Sequence, residues 1–182
     1  NQDSKVSFKD AGAAVTKNGS NIVATASNDP GMRPANGYAM SIADVEVDPE
    51  TGKIQLTDFT IFQDVGKCVN PTQVESQMQG GAVQGIGWAL SEEYVYDDQG
   101  LMRNASFLDY RMPTALDLPM IGTVILETPA DDGAFGIRGV GEPPIIPPPA
   151  AIANAVHDAT GVRMTSLPMS PERVFATMKG SS

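Results

Sequence analysis

A single carboxylate, Glu142, stands between a glycine-rich run and a proline-rich run in the stretch GIRGVGEPPIIPPP. Gly139 and Gly141 lack side chains, so a large group can approach the backbone beside the acid. The prolines that follow stiffen the chain and remove two backbone N–H donors. Desolvation on such a loop would disfavour the charged form and make the carboxylate a competent base. The same spacing also fits a solvated loop acid between turn residues.

Glutamines and glycines share a second segment, ESQMQGGAVQGIGWAL, which reads as a helix. The amides of Gln77, Gln79 and Gln84 each offer two donors and one acceptor, which suit the edge of a heterocyclic ligand. They also fit a helix face turned to water, because Gln is a good helix former. The segment contains glycines at positions 80, 81, 85 and 87. Each costs roughly 0.5–1 kcal/mol relative to Ala, so close approach of another backbone or of a bulky ligand is expected to compensate.

Charge and composition argue against several classes of partner. The 182 residues carry 22 acidic and 12 basic side chains, for a net charge of −10, and the basic residues are scattered singly. Nucleic acid and anionic membranes both attract clustered cations, so we expect neither partner. With one Cys (Cys68) and one His (His157) the chain can build no Cys-rich or multi-His metal site, and no metal ligand is assigned.

The location of the protein is inferred from the same composition. No segment is long and apolar enough to cross a bilayer, and the N-terminal residues NQDSKVSF contain no apolar targeting region. A lone Cys gives no indication of an oxidising compartment. We therefore expect a cytoplasmic protein, with the periplasm left open.

Alternating patterns predict the strands. Two strands flank the turn Asp48–Gly52, and a change of phase predicts a bulge near Thr57–Asp58. A second hairpin is predicted around a turn at Asp97–Gly100. The β-branched run IGTVILET predicts a strand, and VRMTSLPM a short one. Between the first hairpin and the helix, Asp64 is expected to order its loop by accepting hydrogen bonds from backbone N–H groups.

Helices are predicted between these strands. Asn70 caps and Pro71 opens a helix that runs to about Tyr94. Its predicted buried stripe is Val74, Met78, Ala82, Ile86 and Leu90. Another helix, 149–161, ends at a glycine, and a last one runs over 171–179. This mixture of hairpins and interleaved helices predicts the α+β class. The domain division is a polar, loop-rich segment of weak strands over 1–36 and a folded domain over 37–182.

Three segments in this order resemble the molybdenum hydroxylases, the family of xanthine dehydrogenase, aldehyde oxidase and the carbon monoxide dehydrogenase large subunit. They are VEVDPETGKIQLTDFTIFQDVGKCVNP, ESQMQGGAVQGIGWALSEEYVYDDQG and GIRGVGEPPIIPPPAAIANAVHDATG. The resemblance covers about Tyr38 to Lys179. It implies the C-terminal part of the family's molybdopterin-binding domain, either as a fragment or as a small split subunit.

The resemblance implies a definite chemistry. The family's molybdopterin cofactor carries molybdenum with a water-derived hydroxyl group, and the glutamate of the family's G-x-G-E-x-P pattern, here Glu142, takes the proton from that hydroxyl. The oxygen then attacks an electron-poor carbon, and an N-heterocycle or an aldehyde is the expected substrate class. Val140 and Gly141, beside the glutamate, are implied to line the metal pocket.

The resemblance also assigns the glycine-rich helix. A glutamine of the family's Gln-x-x-Gly segment hydrogen-bonds the pterin, and it falls on Gln77 here. Gly80 and Gly81 are implied to let the helix approach the cofactor.

Partners follow from the same resemblance. Electrons pass to iron–sulfur clusters and FAD on other subunits or domains, and the rest of the large subunit supplies the remaining cofactor and substrate contacts. This chain contains no iron–sulfur Cys pattern and no FAD motif, so we expect it to be inactive alone. The other hypothesis is a non-catalytic assembly module, whose proline-rich loop and hairpins dock other subunits.

Overall fold

A computed structural model of the chain describes residues 5–19, 23, 25–27, 36–131 and 133–180. By its contacts the chain divides into two units, Asn1–Arg33 and Pro34–Ser182. In the first unit, helix α1 (Phe8–Lys17) is capped by the Ser7 hydroxyl, which accepts a hydrogen bond from Asp10 N. The sequence predicted weak strands and loops here, which is wrong for α1 because the capping signal was missed. The apolar run 22–24 lies outside the described residues, apart from Val23.

The second unit contains a three-stranded sheet and three α-helices among its described residues. Their bounds are β1 (Tyr38–Val47), β2 (Ile54–Asp64), α2 (Pro71–Leu90), β3 (Ile121–Leu126), α3 (Pro148–Thr160) and α4 (Pro171–Gly180), with 3₁₀ turns at Ala134–Gly136 and Pro143–Ile145. The strand order is β1-β2-β3, with β1 antiparallel and β3 parallel to β2. The α+β class is confirmed. No helix in the described part of the chain has the length and apolarity needed to span a membrane.

The first hairpin forms as predicted. Asp44 faces Asp58 and Val45 faces Leu56, so Thr57 is the extra residue of a bulge. The Asp48 side chain orders the turn by accepting a hydrogen bond from Glu50 N at 2.8 Å. Gly52 closes this turn at φ 72°, a left-handed conformation that favours glycine.

The core lies between the sheet and helices α2, α3 and α4. Its fully buried apolar side chains include Phe59, Ile61, Met78, Ile86, Ile152 and Val174. Burial of each such side chain contributes about 1.5–3 kcal/mol. The predicted stripe of α2 is confirmed at its centre, where Met78, Ala82 and Ile86 are fully buried, and its two ends are half-buried.

The opposite face of the sheet is apolar and exposed. Tyr38, Met40 and Ile42 on β1 are each more than half exposed. The register places Met40 beside Phe62, and Phe62 beside Val124 of β3. We call this surface the outer sheet face and define it as Tyr38, Met40, Ile42, Phe62, Val124 and Leu126. Alternation of the strand residues therefore produces two apolar faces, of which the helices cover one.

Two predicted strand elements are not formed. The second hairpin is reduced to one bridge, Tyr96 to Met102, although its turn over 97–100 is present. The Asn104 side chain competes for the backbone there, because it accepts from Val95 N and donates to Glu93 O. The predicted strand VRMTSLPM is irregular, since Pro168 cannot donate and Val162 N donates to the Thr160 hydroxyl instead.

Helix ends follow local signals. Asn70 caps α2 through its side-chain oxygen, which accepts from Gln73 N at 3.2 Å. The helix ends at Leu90 and not at the predicted Tyr94. At this end the Gly87 carbonyl accepts hydrogen bonds from the N–H groups of Ser91 and Glu92. Gly161 ends α3 at φ 75°, as predicted.

The proline-rich segment crosses α2 on its glycine face. A Cβ atom at Gly81 would stand 2.7 Å from Pro144 Cβ, and one at Gly85 would stand 2.7 Å from the Ile145 carbonyl oxygen. Pro144 and the later Pro148 are fully buried. These two prolines therefore hold the segment against the helix as a buried crossing element. Close packing of this segment on the helix offsets the conformational freedom lost by the two buried glycines.

Gly81→Ala is expected to destabilise the fold by about 1–3 kcal/mol, because the added methyl group overlaps Pro144. The matched control is Gly80→Ala, whose Cβ would have no atom within 4 Å and which should stabilise α2 by about 0.5–1 kcal/mol. Urea denaturation of both variants measures the two changes. Equal effects at the two positions would contradict the packing described.

Candidate functional site

The loop that carries Glu142, residues 136–142, is hydrogen-bonded to the chain segment that follows β2. Gly66 and Ile137 form an isolated antiparallel bridge. Lys67 N donates to the Gly136 carbonyl at 2.8 Å, and Arg138 N donates to the Val65 carbonyl at 2.9 Å. The first half of the loop therefore follows the end of β2 as a short strand would.

A buried ion pair strengthens this junction. Asp64 Oδ1 accepts hydrogen bonds from Gly66 N and Thr128 N, each at 3.0 Å. Arg138 Nε lies 3.7 Å from Asp64 Oδ2 and donates to the Thr128 carbonyl, while Nη1 donates to the Asn36 carbonyl at 2.7 Å. The prediction that Asp64 orders its loop through backbone N–H groups is confirmed.

The charge state of Asp64 follows from these contacts. Burial by itself would raise the pKa of this carboxyl group, but the N–H groups of Thr128 and Gly66 and the Arg138 guanidinium outweigh it. The pKa of Asp64 therefore lies below its ordinary value of 3.8. The ionised carboxylate holds three chain segments together at neutral pH.

Gln63, which the sequence did not single out, fixes the second half of the loop. Its side chain is fully buried, and Nε2 lies 3.2 Å from the Gly139 carbonyl oxygen and 3.4 Å from that of Val140. The available signal was a polar residue at an inward position of β2, two residues after the buried Ile61. A buried amide without a local partner indicates a distant one.

The two motifs singled out by sequence meet in space. A Cβ atom on Gly141 would lie 3.7 Å from Gln77 Nε2, so the Gln77 amide lies close to the loop immediately before Glu142. Val140 is half-buried against the core. Gln77 and Gly80 are three residues apart on α2 and both are exposed, which places them on neighbouring positions of one face.

Glu142 and Gly81 differ from expectation. Glu142 is exposed in this chain, so these residues alone do not supply the desolvation expected from the surrounding prolines. Pro144 and Pro148 turn their apolar surface to α2, and Pro143 lies against Gly37. Gly81 is buried under Pro144, so the neighbour that its missing side chain admits is a proline and not an approach from outside. Gly80 remains open, with no atom within 4 Å of its Cβ position.

A cavity of about 350 Å³ adjoins this meeting point. Gln77 and Val140 line it, together with Asn70 and Gln73 of the first turn of α2 and with Arg138. A larger cavity, of about 780 Å³, lies under the segment 107–118 and contains none of the predicted site residues. We place the candidate site at the smaller cavity, because Gln77 of the helix and Arg138 and Val140 of the loop line it. Glu142 is two residues beyond Val140 and is not among the lining residues.

The polar side chains that line the candidate site are amides and cations. They are the amides of Asn70, Gln73 and Gln77 and the cations of Lys67 and Arg138. Within the described residues, no cluster of three or more His, Cys, Asp or Glu side chains could hold a metal ion. The site is therefore suited to an organic ligand, including one that holds a metal through its own donor atoms.

Asp64→Asn tests the junction. The variant should lose about 1.5–3 kcal/mol of stability at pH 7, because charge-assisted hydrogen bonds in a buried setting are lost. The pKa of Asp64 is lower in the folded state than in the unfolded state. The stabilisation is therefore fully present above about pH 3.8 and is lost as the pH falls through the pKa of the folded state. Urea denaturation from pH 7 to about pH 3 should show the difference from wild type narrowing.

The control for this variant is Asp58→Asn, an exposed aspartate on the same strand, which should change stability by less than about 0.5 kcal/mol. A constant difference between wild type and Asp64→Asn across the whole pH range would contradict the ionised pair.

Comparison with known proteins adds a family. A family model described as a molybdopterin cofactor-binding domain matches residues 1–119. The chain is 41% identical over 139 residues to a putative xanthine dehydrogenase molybdenum-binding subunit of Escherichia coli K12, covering 76% of this chain and 18% of that protein. It is 37% identical over 143 residues to an aldehyde oxidoreductase of Megalodesulfovibrio gigas, covering 78% of this chain and 15% of that protein.

Solved structures agree. The crystal structure of quinoline 2-oxidoreductase from Pseudomonas putida 86 superposes with a TM-score of 0.70 at 41% identity, over 74% of this chain and 18% of that one. The aldehyde oxidoreductase from Desulfovibrio gigas gives a TM-score of 0.71 at 38% identity, over 79% of this chain and 15% of that one. The chain thus spans less than a fifth of the length of the relatives that it matches.

Proposed function

The chain belongs to the molybdopterin cofactor-binding domain family, and from this premise we propose that it forms part of a molybdenum-cofactor oxidoreductase that hydroxylates an N-heterocycle or an aldehyde. The closeness of the Gln77 amide to Gly141 is the observation that carries the proposal. It joins the motif proposed to bind the pterin to the motif proposed to act on the substrate. The quinoline and aldehyde relatives support the two substrate classes by their names.

The residues of the candidate site fit this cofactor. Molybdopterin supplies its own metal ligands, so the protein needs hydrogen-bonding groups around it and no His or Cys cluster. The exposed Gln77 amide offers donors and an acceptor to the pterin, and the open Gly80 on the same helix face lets a ring system come close. Val140 and Gly141 would line the metal end of the site. Gly81 contributes by admitting Pro144, which holds this end of the loop in place.

Glu142 is proposed as the catalytic base. When bound, the cofactor supplies a water-derived oxygen and accepts two electrons from the substrate. The Glu142 carboxylate takes up the proton of the attacking oxygen, which is why it must reach the cofactor end of the loop. Exposure of Glu142 in this chain leaves it accessible to the reactants, and the cofactor, the substrate and the rest of the subunit would exclude water around it.

The outer sheet face is the proposed docking site for the rest of the molybdenum-binding subunit. The relatives are more than five times as long as the matched segment, and they carry that additional chain within one subunit. An apolar sheet face with three β1 side chains more than half exposed is typical of a surface buried by further polypeptide. Iron–sulfur and FAD subunits or domains would then complete the electron path.

The competing hypothesis is a non-catalytic assembly module. The apolar outer sheet face would suit such a module equally well. The two hypotheses separate on cofactor content, because an assembly module would join a complex in which its own site holds no molybdopterin. Molybdenum and pterin assays of the purified complex, made with Gln77→Ala and wild type side by side, distinguish them.

Glu142→Gln in the complete molybdenum-loaded enzyme should lower turnover by about 10²–10⁴-fold, because the amide cannot accept the proton. Molybdenum content should stay within about twofold of wild type, since Glu142 is proposed to act on the substrate side. The matched control is Glu172→Gln, an exposed glutamate on α4, for which turnover should not change. Activity retained within a few fold in the first variant would remove Glu142 from the mechanism.

The double variant Met40→Thr with Ile42→Thr tests the docking surface. In the 182-residue chain both side chains are exposed, so the free energy of unfolding should change by less than about 1 kcal/mol. In the longer subunit the same change should cost at least about 1 kcal/mol more, because buried methyl and methylene groups are lost. Glu46→Gln, at the polar end of the same face, is the control. Equal losses in the two settings would show that nothing packs there.

A further inference from the structure

Gln63 is a buried amide in an otherwise apolar row. The inward positions of β2 before it are Phe59 and Ile61, which are fully buried core residues. Gln63 is also fully buried. An apolar residue would continue the pattern with no polar group to satisfy, so the amide at this position has a specific role or a considerable cost.

The orientation of this amide is fixed by its donors. The Nε2 group carries two hydrogens, and it lies within 3.2 Å of the Gly139 carbonyl oxygen and 3.4 Å of the Val140 carbonyl oxygen. Oε1 is buried without a hydrogen-bond partner among the described residues. Turning the amide round would place its oxygen against two carbonyl oxygens. The side chain therefore keeps both donors on the loop even though its acceptor is left unpaired.

The two carbonyls belong to Gly139 and Val140, three and two residues before Glu142. On the other side, Ile145 N donates to the Glu142 carbonyl at 3.3 Å, and Pro144 packs on Gly81. The ion pair of Arg138 holds the loop four residues before the glutamate. Between these anchors lie two glycines, Gly139 and Gly141, which have wide conformational freedom of their own.

We propose that Gln63 is a positioning residue for Glu142: its buried amide sets the conformation of the Gly139–Gly141 backbone and so places the carboxylate relative to Gln77. This inference rests on the proposed function, because positioning matters only if Glu142 acts at the cofactor. Gln63 contacts neither cofactor nor substrate in this assignment and acts through the loop. Gln63 lies 76 residues before Gly139 in the sequence. Its hydrogen bonds to the loop therefore link the sheet directly to the site.

The loop itself provides a test that needs no cofactor. In the 182-residue wild-type chain, ¹⁵N relaxation should give backbone N–H order parameters of about 0.85 at residues 139–142. In Gln63→Met the same order parameters should fall below about 0.6. Met keeps the length of Gln without its donors. The matched control is Gln79→Met, which removes a similar bond from Gln79 Nε2 to the Ile121 carbonyl at 3.2 Å and should leave residues 139–142 rigid. Unchanged order parameters in Gln63→Met would overturn the proposal.

A wild-type measurement keeps the proposal testable if Gln63→Met does not fold. The side-chain NH₂ protons of Gln63 should exchange with solvent at least about tenfold more slowly than those of the exposed Gln77. The reason is that the Gln63 amide is buried and donates to two loop carbonyls. Equal exchange rates would show that the two bonds to the loop are not maintained and would overturn the assignment.

The complete enzyme separates positioning from a purely structural role. Gln63→Met should lower kcat by about tenfold to a hundredfold, as expected for a misplaced catalytic group, while KM and molybdenum content stay within about twofold. A parallel fall of kcat and molybdenum content would indicate a structural role and overturn the proposal. If Glu142→Gln leaves turnover intact while Gln63→Met still loosens residues 139–142, the proposed function fails and the loop contact stands.

Discussion

Close packing between the glycine face of α2 and the proline-rich segment determines where the candidate site forms. Gly81 and Gly85 leave no room for a Cβ atom against Pro144 and the Ile145 carbonyl. The segment can therefore lie directly on the helix backbone, and the residues just before it reach Gln77. A side chain at either glycine would lift the segment away and separate Gln77 from Gly141. The close approach of the two motifs therefore depends on two helix positions that carry no side chain.

A second constraint comes from the end of β2. Asp64 and Gln63 are consecutive, point to opposite faces of the strand and hold different parts of the same loop. The charged contact secures the region around Arg138, and the neutral amide secures the two residues before Gly141. The strand in turn is central in the sheet, between β1 and β3. The loop is thus anchored to one of the most constrained strands of the fold, which suits a group that must be held in a fixed geometry.

Sequence reasoning succeeded where the controlling signal is local. Asn70 caps a helix and Gly161 ends one through interactions within four residues of chain. The bulge at Thr57 follows from a change of phase visible within one strand. The resemblance of three ordered motifs identified the family, and the α+β class followed from the pattern of elements. For these features, the residues that determine the structure are neighbours in sequence.

Sequence reasoning failed for features that depend on contacts between residues distant in the chain. The role of Gln63 depends on carbonyls more than seventy residues away, and a lone polar residue in a strand gives no direction to its partner. The exposure of Glu142 depends on which side of the prolines faces α2. The second hairpin was wrong because Asn104 takes backbone bonds that a strand pair would use. The matched family model spans residues 1–119, which include Gln77 and exclude Glu142, and the roles of both residues stay proposals because a family match assigns no role to a single residue.

Strands β1 and β3 stand at the two edges of the sheet within the described chain, and the apolar outer sheet face lies across them. An exposed apolar face of this kind favours association with other molecules. A molecule that leaves this face uncovered would be prone to self-association, moderated by mutual repulsion from its net charge of −10. In a cell, chains that expose this surface would be triaged by chaperones and proteases.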